Sequence, residues 1–325
     1  MVKLSFLIPA RQEEFLVETI NDILAHTGEE SEIIVGLDGY WPPQPIEDNP
    51  RVKIFHVTEP IGQRALTNQL ARLSKARYVC KVDAHTAYDD DFGNKMLKFF
   101  EEMGDDIVAV PIMKNLCAFD WVCPEAKPRV SFNAHDEPHR RYQSPSGPCK
   151  DCGVATVKEI TWKPRERLSS TSYCFDSEPH FQYFNEYKGR PEYKETAEKG
   201  YNETMSLQGS FFMATRHNYW KYELCDEKAG SWGNQGLEVA CAAWLSGLRV
   251  LCNHKTWYAH MFRTQGGDFG FPYKISDKKI NETKDYIKDK YWNKKNKRQI
   301  HSVKWLLDKF APVPGWTQEN IDNMV

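Results

Sequence analysis

The chain has 325 residues, of which 41% are hydrophobic and 27% charged, as expected of a globular protein that can bury a sizeable core. A formal net charge of −2 argues against a generally basic nucleic-acid-binding protein. No apolar run approaches the roughly 18 residues that a membrane span requires, and the first residues become acidic too soon for a signal peptide. We therefore expect a cytoplasmic protein whose nine cysteines, an odd number, are reduced thiols.

The first third of the chain alternates strands and helices. The predicted strands are 3–10, 31–39, 51–57, 77–85 and 106–113, and the predicted helices are 13–27, 63–76 and 91–103. This alternation predicts an α/β fold in which a mainly parallel, Rossmann-like sheet is flanked by helices. Ligands bind at the carboxyl ends of such strands, which places residues 9–11, 38–39 and 83–85 along one edge of the sheet.

The pattern changes in the second third. Residues 112–205 are rich in Pro, Ser, His and aromatic residues without clear periodicity, so we expect an irregular inserted region. Order returns with a strand and turn in 206–220, a helix over 236–247 and a strand over 248–260, and one or two Lys-rich helices follow in 276–310. The resulting division has four parts: a nucleotide-sugar-binding half 1–111, the insert 112–205, an acceptor and catalytic half 206–275, and a basic helical segment 276–325.

The polar residues at the strand ends suit a nucleotide diphosphate. In "KVDAHT", Asp83 and His85 project to the same side of an extended backbone, so both can reach one cation. Asp38 could accept a hydrogen bond from a base imide, and Arg11 and Arg64 could contact ribose or phosphate. The bland interpretation of Asp83 and His85 alone is a polar strand terminus.

These residues lie in motifs that resemble a known family. The stretches "FLIPARQEE", "EIIVGLDG" and "QRALTNQLARLSKARYVCKVDAHT" resemble the GT-A nucleotide-sugar glycosyltransferases of the family 2 type. "VDAH", "SWGNQGLEVACAAWLSG" and "WYAHMFR" follow in the order found in the polypeptide N-acetylgalactosaminyltransferase branch, which has an Asp-x-His motif, a Trp-Gly turn and a His-x-x-Arg strand end. The resemblance implies a GT-A fold and metal-dependent transfer of a sugar from a nucleotide sugar, most plausibly a UDP-sugar, to an acceptor hydroxyl.

The resemblance also implies residue roles. Asp83, His85 and His260 would hold a divalent cation, Mn²⁺ rather than Mg²⁺ because two of the three ligands are imidazoles. Arg263 would contact the diphosphate, whereas the alternative interpretation of His260 is a core histidine. The residues expected to bind the donor are Pro9, Ala10, Arg11, Glu13, Asp38, Arg64, Asp83, Trp232 and Gly233.

The chain departs from the branch at "WGNQGLE". Gln235 stands where the branch has its first glutamate, and an amide cannot act as a base. Either Glu238 or Asp226 is the base of an inverting reaction, or the retaining route of the branch is kept and Gln235 orients the sugar; we favour retention. Trp232 and Trp244 could be platforms for a sugar or acceptor, or core aromatics.

The insert contains Cys149-x-x-Cys152-Gly, one half of a zinc knuckle. Cys123, His135 and His139 lie upstream and could complete a structural Zn²⁺ site of four ligands, whereas the alternative is a surface turn with two free thiols. A second interpretation of the whole chain is a catalytically inactive GT-A-like module that binds nucleic acid or protein through this knuckle, although the intact metal ligands argue against it. The acceptor stays open between a modified base in DNA, a protein, a glycan and a small molecule. The basic tail would suit DNA, but its charge is equally that of an ordinary solvated helix face.

Overall fold

The computed structural model describes residues 2–126, 139, 145–264, 267–274, 276–322 and 324. The strands are β1 Leu4–Ala10, β2 Ser31–Asp38, β3 Val52–Val57, β4 Tyr78–Val82, β5 Thr86–Tyr88, β6 Ile107–Val122, β7 Val157–Ser170, β8 Tyr173–Phe175, β9 Phe181–Tyr183, β10 Tyr201–Glu203, β11 Phe211–Thr215 and β12 Arg249–His260. The α-helices are α1 Leu16–His26, α2 Gln63–Leu73, α3 Phe92–Met103, α4 Pro191–Glu198, α5 Arg216–Lys221, α6 Gln235–Leu245, α7 Asp277–Ile287, α8 Val303–Lys309 and α9 Gln318–Asp322. Short 3₁₀ helices cover Asn185–Gly189 and Glu227–Ala229, and a π-helical turn, Lys288–Trp292, continues α7.

One sheet organises the described part of the chain, with strand order β10-β12-β6-β11-β4-β1-β2-β3. The strands β3, β2, β1 and β4 are mutually parallel, and so are β6 and β12, whereas β11 runs antiparallel between β4 and β6. The almost entirely apolar β1 and the fully buried β2 and β4 are typical of strands covered by helices on both faces. The predicted mixed α/β fold, with a mostly parallel central sheet flanked by helices, is confirmed.

Close packing of α2 on this sheet depends on a glycine. A Cβ at Gly36 in β2 would lie 2.7 Å from Cγ of Leu66 in α2, a distance that real side chains do not tolerate. With glycine at this position, the helix can approach the strand closely enough to bury Leu66 and Leu70 completely. The N-terminal end of α2 is thereby fixed beside the strand end that carries Asp38.

The prediction of an irregular insert was wrong for two long stretches. Strand β6 continues without a break through the proposed boundary between residues 111 and 112, and it pairs antiparallel with β7. Phe119 of β6 and Trp162 of β7 pack on Phe15, whose ring centroid lies 5.8 Å from each of theirs. Because this small apolar cluster lies apart from the main core and polar residues separate its members in the sequence, the two-residue strand period was hard to see.

The C-terminal segment contains helices, and its π-helical turn packs against the turn that carries Asp226. Helices α7 and α8 flank the π-helical turn, and Lys290 of that turn donates to the Asp226 carboxylate at 2.5 Å. The turn predicted after β11 is instead the short helix α5, which the Thr215 side chain caps by accepting from the backbone N–H of Asn218. Among the helices that the structure describes, none combines the length and apolar composition needed to cross a bilayer.

Candidate functional site at the strand ends

A cavity of about 620 Å³ lies at the carboxyl ends of β1, β2 and β4, between the end of β12 and the beginning of α6. This is the edge of the sheet at which open α/β folds bind ligands. Of the residues predicted to bind the donor, all except Arg64 line it. The lining members are Pro9, Ala10, Arg11, Glu13, Asp38, Asp83, Trp232 and Gly233.

The three predicted metal ligands meet at the wall of this cavity. Nε2 of His260 lies 3.3 Å, and Nε2 of His85 3.9 Å, from Oδ2 of Asp83, and each of the three residues offers a ligand atom within 4.8 Å of the others. Both histidines are only 5% exposed; Nδ1 of His260 has no hydrogen-bond partner in the described structure, and its Nε2 faces the Asp83 carboxylate. Burial lowers the pKa of His260 to about 4, which leaves its imidazole in the neutral form that binds metals. One carboxylate and two imidazoles thus fit a divalent cation.

Glu13 holds residues of this cluster in place through hydrogen bonds, although the sequence predicted only a contact between Glu13 and the nucleotide sugar. Its Oε2 accepts from Nδ1 of His85 at 3.1 Å and also from the guanidinium of Arg263. A carboxylate that binds the far nitrogen of a metal-binding histidine fixes the tautomer and orientation of the ring. Glu13 therefore links His85 of one motif to Arg263 of another. In addition, the Arg263 guanidinium donates to the Gly270 carbonyl at 2.6 Å and lies over the Phe269 ring at 4.1 Å.

Lys81 is a buried cation beside the candidate metal ligands that the sequence did not reveal. Its ammonium is buried, donates to Oδ1 of Asp83 and contacts the Gly209 carbonyl at 2.8 Å. Burial opposes ionisation of Asp83, but the charge of Lys81 together with the neighbouring His260 and His85 outweighs burial and holds the pKa of this carboxyl well below its usual range. A lysine inside an apolar strand, two residues before an aspartate, is the signal that could have identified it.

The predicted base-binding carboxylate, Asp38, lies at the end of β2 and is 3% exposed. Its oxygens accept from the backbone N–H groups of Ile61 at 2.7 Å and Gly62 at 3.1 Å, just before α2. These bonds fix the carboxylate at the cavity wall. On the opposite side, the Arg11 guanidinium lies 4.8 Å from the centre of the Tyr273 ring.

Arg64 does not line the cavity, which corrects its predicted contact with the donor. Its side chain is fully buried, and Nε donates to Oε2 of Glu238 at 2.6 Å. Its terminal nitrogens donate to the carbonyls of Gly230 at 3.0 Å and Gly233 at 2.5 Å. With all these partners inside the protein, Arg64 holds the turn that carries Trp232 and Gly233 instead of contacting a ligand.

Neither carboxylate considered as a base lines the cavity. Glu238 is 1% exposed, pairs with Arg64 and accepts from the backbone N–H of Asp226 at 2.7 Å; burial raises its pKa, against the opposing charge of Arg64. The side chain of Asp226 instead accepts from Lys290 and from the Tyr286 hydroxyl at 2.7 Å. Burial favours the neutral form of the Asp226 carboxyl, but the hydrogen bonds from Lys290 and Tyr286 lower its pKa. Both carboxylates are therefore bound to other residues of the protein and do not reach the cavity.

Gln235 does line the cavity, at the first position of α6. Its Nε2 donates to Sγ of Cys225 at 3.2 Å, and its buried Oε1 has no partner in the described structure.

Trp232 also lines the cavity and meets Phe271 edge to face at 5.5 Å. Trp244, the other tryptophan considered as a platform for a sugar, is 2% exposed and donates to the Thr204 carbonyl. Trp244 is therefore a core aromatic residue.

The cysteines of the insert form a second group away from this cavity. Cys123, Cys149, Cys152 and His139 each offer a ligand atom within 4.8 Å of the others. His135, which the sequence also suggested, lies outside the described residues.

Comparison with known proteins agrees with this architecture. Residues 5–139 match the sequence family described as glycosyl transferase family 2. The structure matches GalNAc-T7, solved with UDP, GalNAc and Mn²⁺, with a TM-score of 0.67 and 15% identity over 95% of this chain and 57% of that one. It also matches S. aureus TarS 1–349 in complex with UDP-GlcNAc, with a TM-score of 0.52 and 13% identity over 95% of this chain and 71% of that one. No curated protein matches the chain.

At these identities the structural matches establish the fold, and the chain spans little more than half of the GalNAc-T7 chain that it resembles. The family match covers the strands and helices that carry Glu13, Asp38, Asp83 and His85, and the fold match extends through β12 with His260. The N-terminal part of the chain thus matches the glycosyl transferase family 2 model, and the chain has the GT-A fold that it shares with GalNAc-T7.

Proposed function

We propose that this protein is a metal-dependent glycosyltransferase that moves a sugar from a UDP-sugar to an acceptor hydroxyl. The observation that carries the proposal is the convergence of Asp83, His85 and His260 at the wall of a cavity large enough for a nucleotide sugar. Nε2 of His260 is buried and faces Oδ2 of Asp83 at 3.3 Å without a well-formed hydrogen bond, an arrangement that a cation bound between the two residues would complete. The UDP, UDP-GlcNAc and Mn²⁺ of the structurally similar proteins agree with this choice of donor and cation.

The chain's own residues have distinct roles in this proposal. Asp83, His85 and His260 would hold Mn²⁺ or Mg²⁺, and Mn²⁺ suits the two imidazoles better. When bound, the cation would neutralise negative charge on the leaving diphosphate. Arg263, held in place by Glu13 and Gly270, would add its positive charge beside the same phosphates. Asp38 would accept from the base and Trp232 would pack against the sugar.

The positions of Glu238 and Asp226 favour retention of the anomeric configuration. An inverting reaction needs a carboxylate that can take the proton from the acceptor, and neither of these residues lines the cavity. The described carboxylates that do line it, Glu13, Asp38 and Asp83, bind Arg263, backbone amides and Lys81 respectively. In a retaining route the leaving phosphate can take the proton, and Gln235 would orient the sugar through its unpartnered Oε1.

The donor proposal is tested by thermal unfolding with UDP and Mn²⁺, followed by a screen of UDP-sugars for UDP release. We expect the two ligands together to raise Tm, because both bind the folded chain. His85→Ala should lose the Mn²⁺-dependent part of this shift and the turnover, whereas the exposed His217→Ala should retain both. A wild-type protein with no shift and no UDP release from any donor would overturn the proposal and favour the inactive binding module.

We also propose that the acceptor carries phosphate, with a modified base in duplex DNA as the favoured case. Lys274, Lys279 and Lys284 line the cavity, and within the described residues none of them forms an ion pair. Three lysines in addition to Arg11 give the cavity lining a positive charge that suits a phosphate backbone. This local charge coexists with the overall net charge of −2.

Salt-dependent binding to duplex DNA tests the acceptor proposal. If each of the three lysines contacts one phosphate, replacing all three by glutamine should reduce the salt slope of binding by about three. Lys278→Gln is the matched control, because Lys278 lies on the same helix, pairs with Glu282 at 3.9 Å and does not line the cavity. Absence of binding at low salt would exclude DNA and leave a protein or glycan as the acceptor, without affecting the donor proposal.

A further inference from the structure

The long connection between β6 and β7 contains a compact cluster of three thiols and one imidazole. Cys123 follows β6 directly, Cys149 and Cys152 lie in the turn that precedes β7, and His139 lies between them in the chain. Sγ of Cys123 is 3.8 Å from Sγ of Cys152, and Nδ1 of His139 is 3.9 Å from the sulfurs of both Cys123 and Cys149. The sulfurs are too far apart for a disulfide, in which they lie about 2.05 Å apart.

These separations are those of ligands around one small metal ion. Tetrahedral zinc with Zn–S bonds of about 2.3 Å places two sulfurs about 3.8 Å apart. The Cys123–Cys152 distance equals this value. Zn–S and Zn–N bonds of about 2.3 and 2.0 Å place nitrogen and sulfur about 3.6 Å apart, so the 3.9 Å from His139 Nδ1 to the sulfurs of Cys123 and Cys149 needs only a slight contraction. Three thiolates and one imidazole are a common ligand set of structural zinc and are too soft for Mg²⁺ or Mn²⁺.

The backbone around the cluster already has the form of a metal-binding turn. The Gly153 N–H donates to the Cys149 carbonyl at 2.8 Å, and Gly153 has a φ of +71°, which favours glycine. Asp151, inside the turn, accepts from the backbone N–H of His139 and so brings the imidazole to the thiols. Cys123 and Cys149 are 1% and 2% exposed, respectively. Support of the ligand residues by neighbouring hydrogen bonds is typical of built metal sites.

We propose that Cys123, His139, Cys149 and Cys152 bind one structural Zn²⁺, which closes the connection between β6 and β7. Small regions with few buried apolar residues commonly depend on a metal for stability. The zinc would fix the ends of the two strands whose side chains pack on Phe15. Because Phe15 follows Glu13 by two residues, the zinc would also stabilise the segment that orients His85 and Arg263.

The direct test is the metal content of the full chain purified without chelators. We expect one zinc per chain by elemental analysis, and its loss in Cys149→Ser and Cys152→Ser. Cys117→Ser is the matched control, because this half-buried cysteine lies in β6 outside the cluster and should retain the zinc. The His85→Ala/His260→Ala double variant should retain it too, which distinguishes this ion from one bound at the Asp83 cluster.

Cobalt substitution tests the ligands in the wild-type chain, so the result does not depend on whether the cysteine variants fold. Co²⁺ exchanged into the protein should give a thiolate-to-metal charge-transfer band and the visible absorption of a tetrahedral site. The Asp83 cluster contains no thiol, so it cannot give the charge-transfer band. Absence of zinc from the purified protein together with absence of the thiolate band would overturn the proposal. A zinc content that persists in both Cys149→Ser and Cys152→Ser would overturn it as well.

Discussion

Arg64 and Glu238, 174 residues apart in the sequence, form an ion pair in which the side chains are 0% and 1% exposed. The pair joins α2 to α6 and lies directly behind the turn of Trp232 and Gly233. A guanidinium cannot shed its charge when its partner is lost, so the pair matters chiefly through the cost of breaking it.

We expect Glu238→Gln to lower the free energy of unfolding by about 3 to 5 kcal/mol, because it leaves the buried charge of Arg64 uncompensated. The Arg64→Met/Glu238→Leu double variant should be more stable than Glu238→Gln, since it removes both charges at similar volume. Urea unfolding of the three proteins measures both effects. A Glu238→Gln protein of unchanged stability that has lost turnover would instead identify Glu238 as the catalytic base.

Glu13→Gln should weaken Mn²⁺ binding in the presence of UDP by about 10- to 100-fold, as is usual when the partner of a ligating histidine is changed. The amide keeps the size of the side chain but removes the charge that orients His85 and Arg263. Isothermal titration with Mn²⁺ gives the affinity. Glu14→Gln is the neighbouring control, because Glu14 is partly exposed, pairs with Lys158 and does not line the cavity. Equal affinities in the two variants would contradict a supporting role for Glu13.

Gln235→Ala should reduce kcat/KM about tenfold, the effect of losing one hydrogen bond to a sugar hydroxyl, and should leave the affinity for UDP alone unchanged. The reason is that Oε1 of Gln235 is buried without a partner in the described structure, whereas in the proposed donor complex Asp38 and Arg263 would contact the base and the phosphates. Steady-state kinetics with the UDP-sugar measure the effect on kcat/KM, and titration with UDP measures the affinity for the nucleotide.

Nuclear magnetic resonance of the product should show the anomeric configuration of the donor, and an inverted product would exclude the retaining route.

His254 should make the stability of the fold depend on pH. Burial lowers its pKa from 6.5 to about 4, with a further contribution from the nearby charge of Lys188, and its Nε2 bonds to Oδ1 of Asn202. A lowered histidine pKa means that the folded state prefers the neutral ring. Its contribution is therefore fully present above pH 6.5 and is lost as the pH falls towards 4. Between pH 7 and pH 5, His254→Gln should lose less stability in urea than the wild type; an equal loss would contradict this assignment.

Sequence reasoning could predict the parts of the fold in which local pattern and burial agree. Strands β1, β2 and β4 are short buried apolar runs, whereas helices α1 to α3 have apolar residues at helical spacing, so both can be recognised. The resulting parallel strands bring Asp38 and Asp83 to one edge of the sheet. The same reasoning predicted the first half of β6 but failed for its second half, residues 114–122, and for β7, where side chains pack in a small separate cluster around Phe15. There the apolar residues are diluted by polar neighbours, so no periodicity marks the strands.

The candidate site shows a similar division. Asp83, His85 and His260 belong to short motifs, and a resemblance is enough to associate them. Arg64 and Glu238 have the residue types of a ligand contact and a base, and only the three-dimensional structure reveals that they neutralise each other. Lys81 and the role of Glu13 also depend on contacts between distant segments, which spacing along the chain does not encode.

Gly236 limits how far the family motif could be engineered back into this protein. A Cβ at this position would overlap the Leu207 carbonyl oxygen and crowd the backbone nitrogen of Gly209. The same loop supplies the Gly209 carbonyl to Lys81 and the Ser210 carbonyl to the backbone of Asp83. Any side chain at 236 would therefore displace the segment that positions Asp83, a proposed metal ligand, so a glutamate introduced at 235 to match the branch has to be tested with Gly236 left in place.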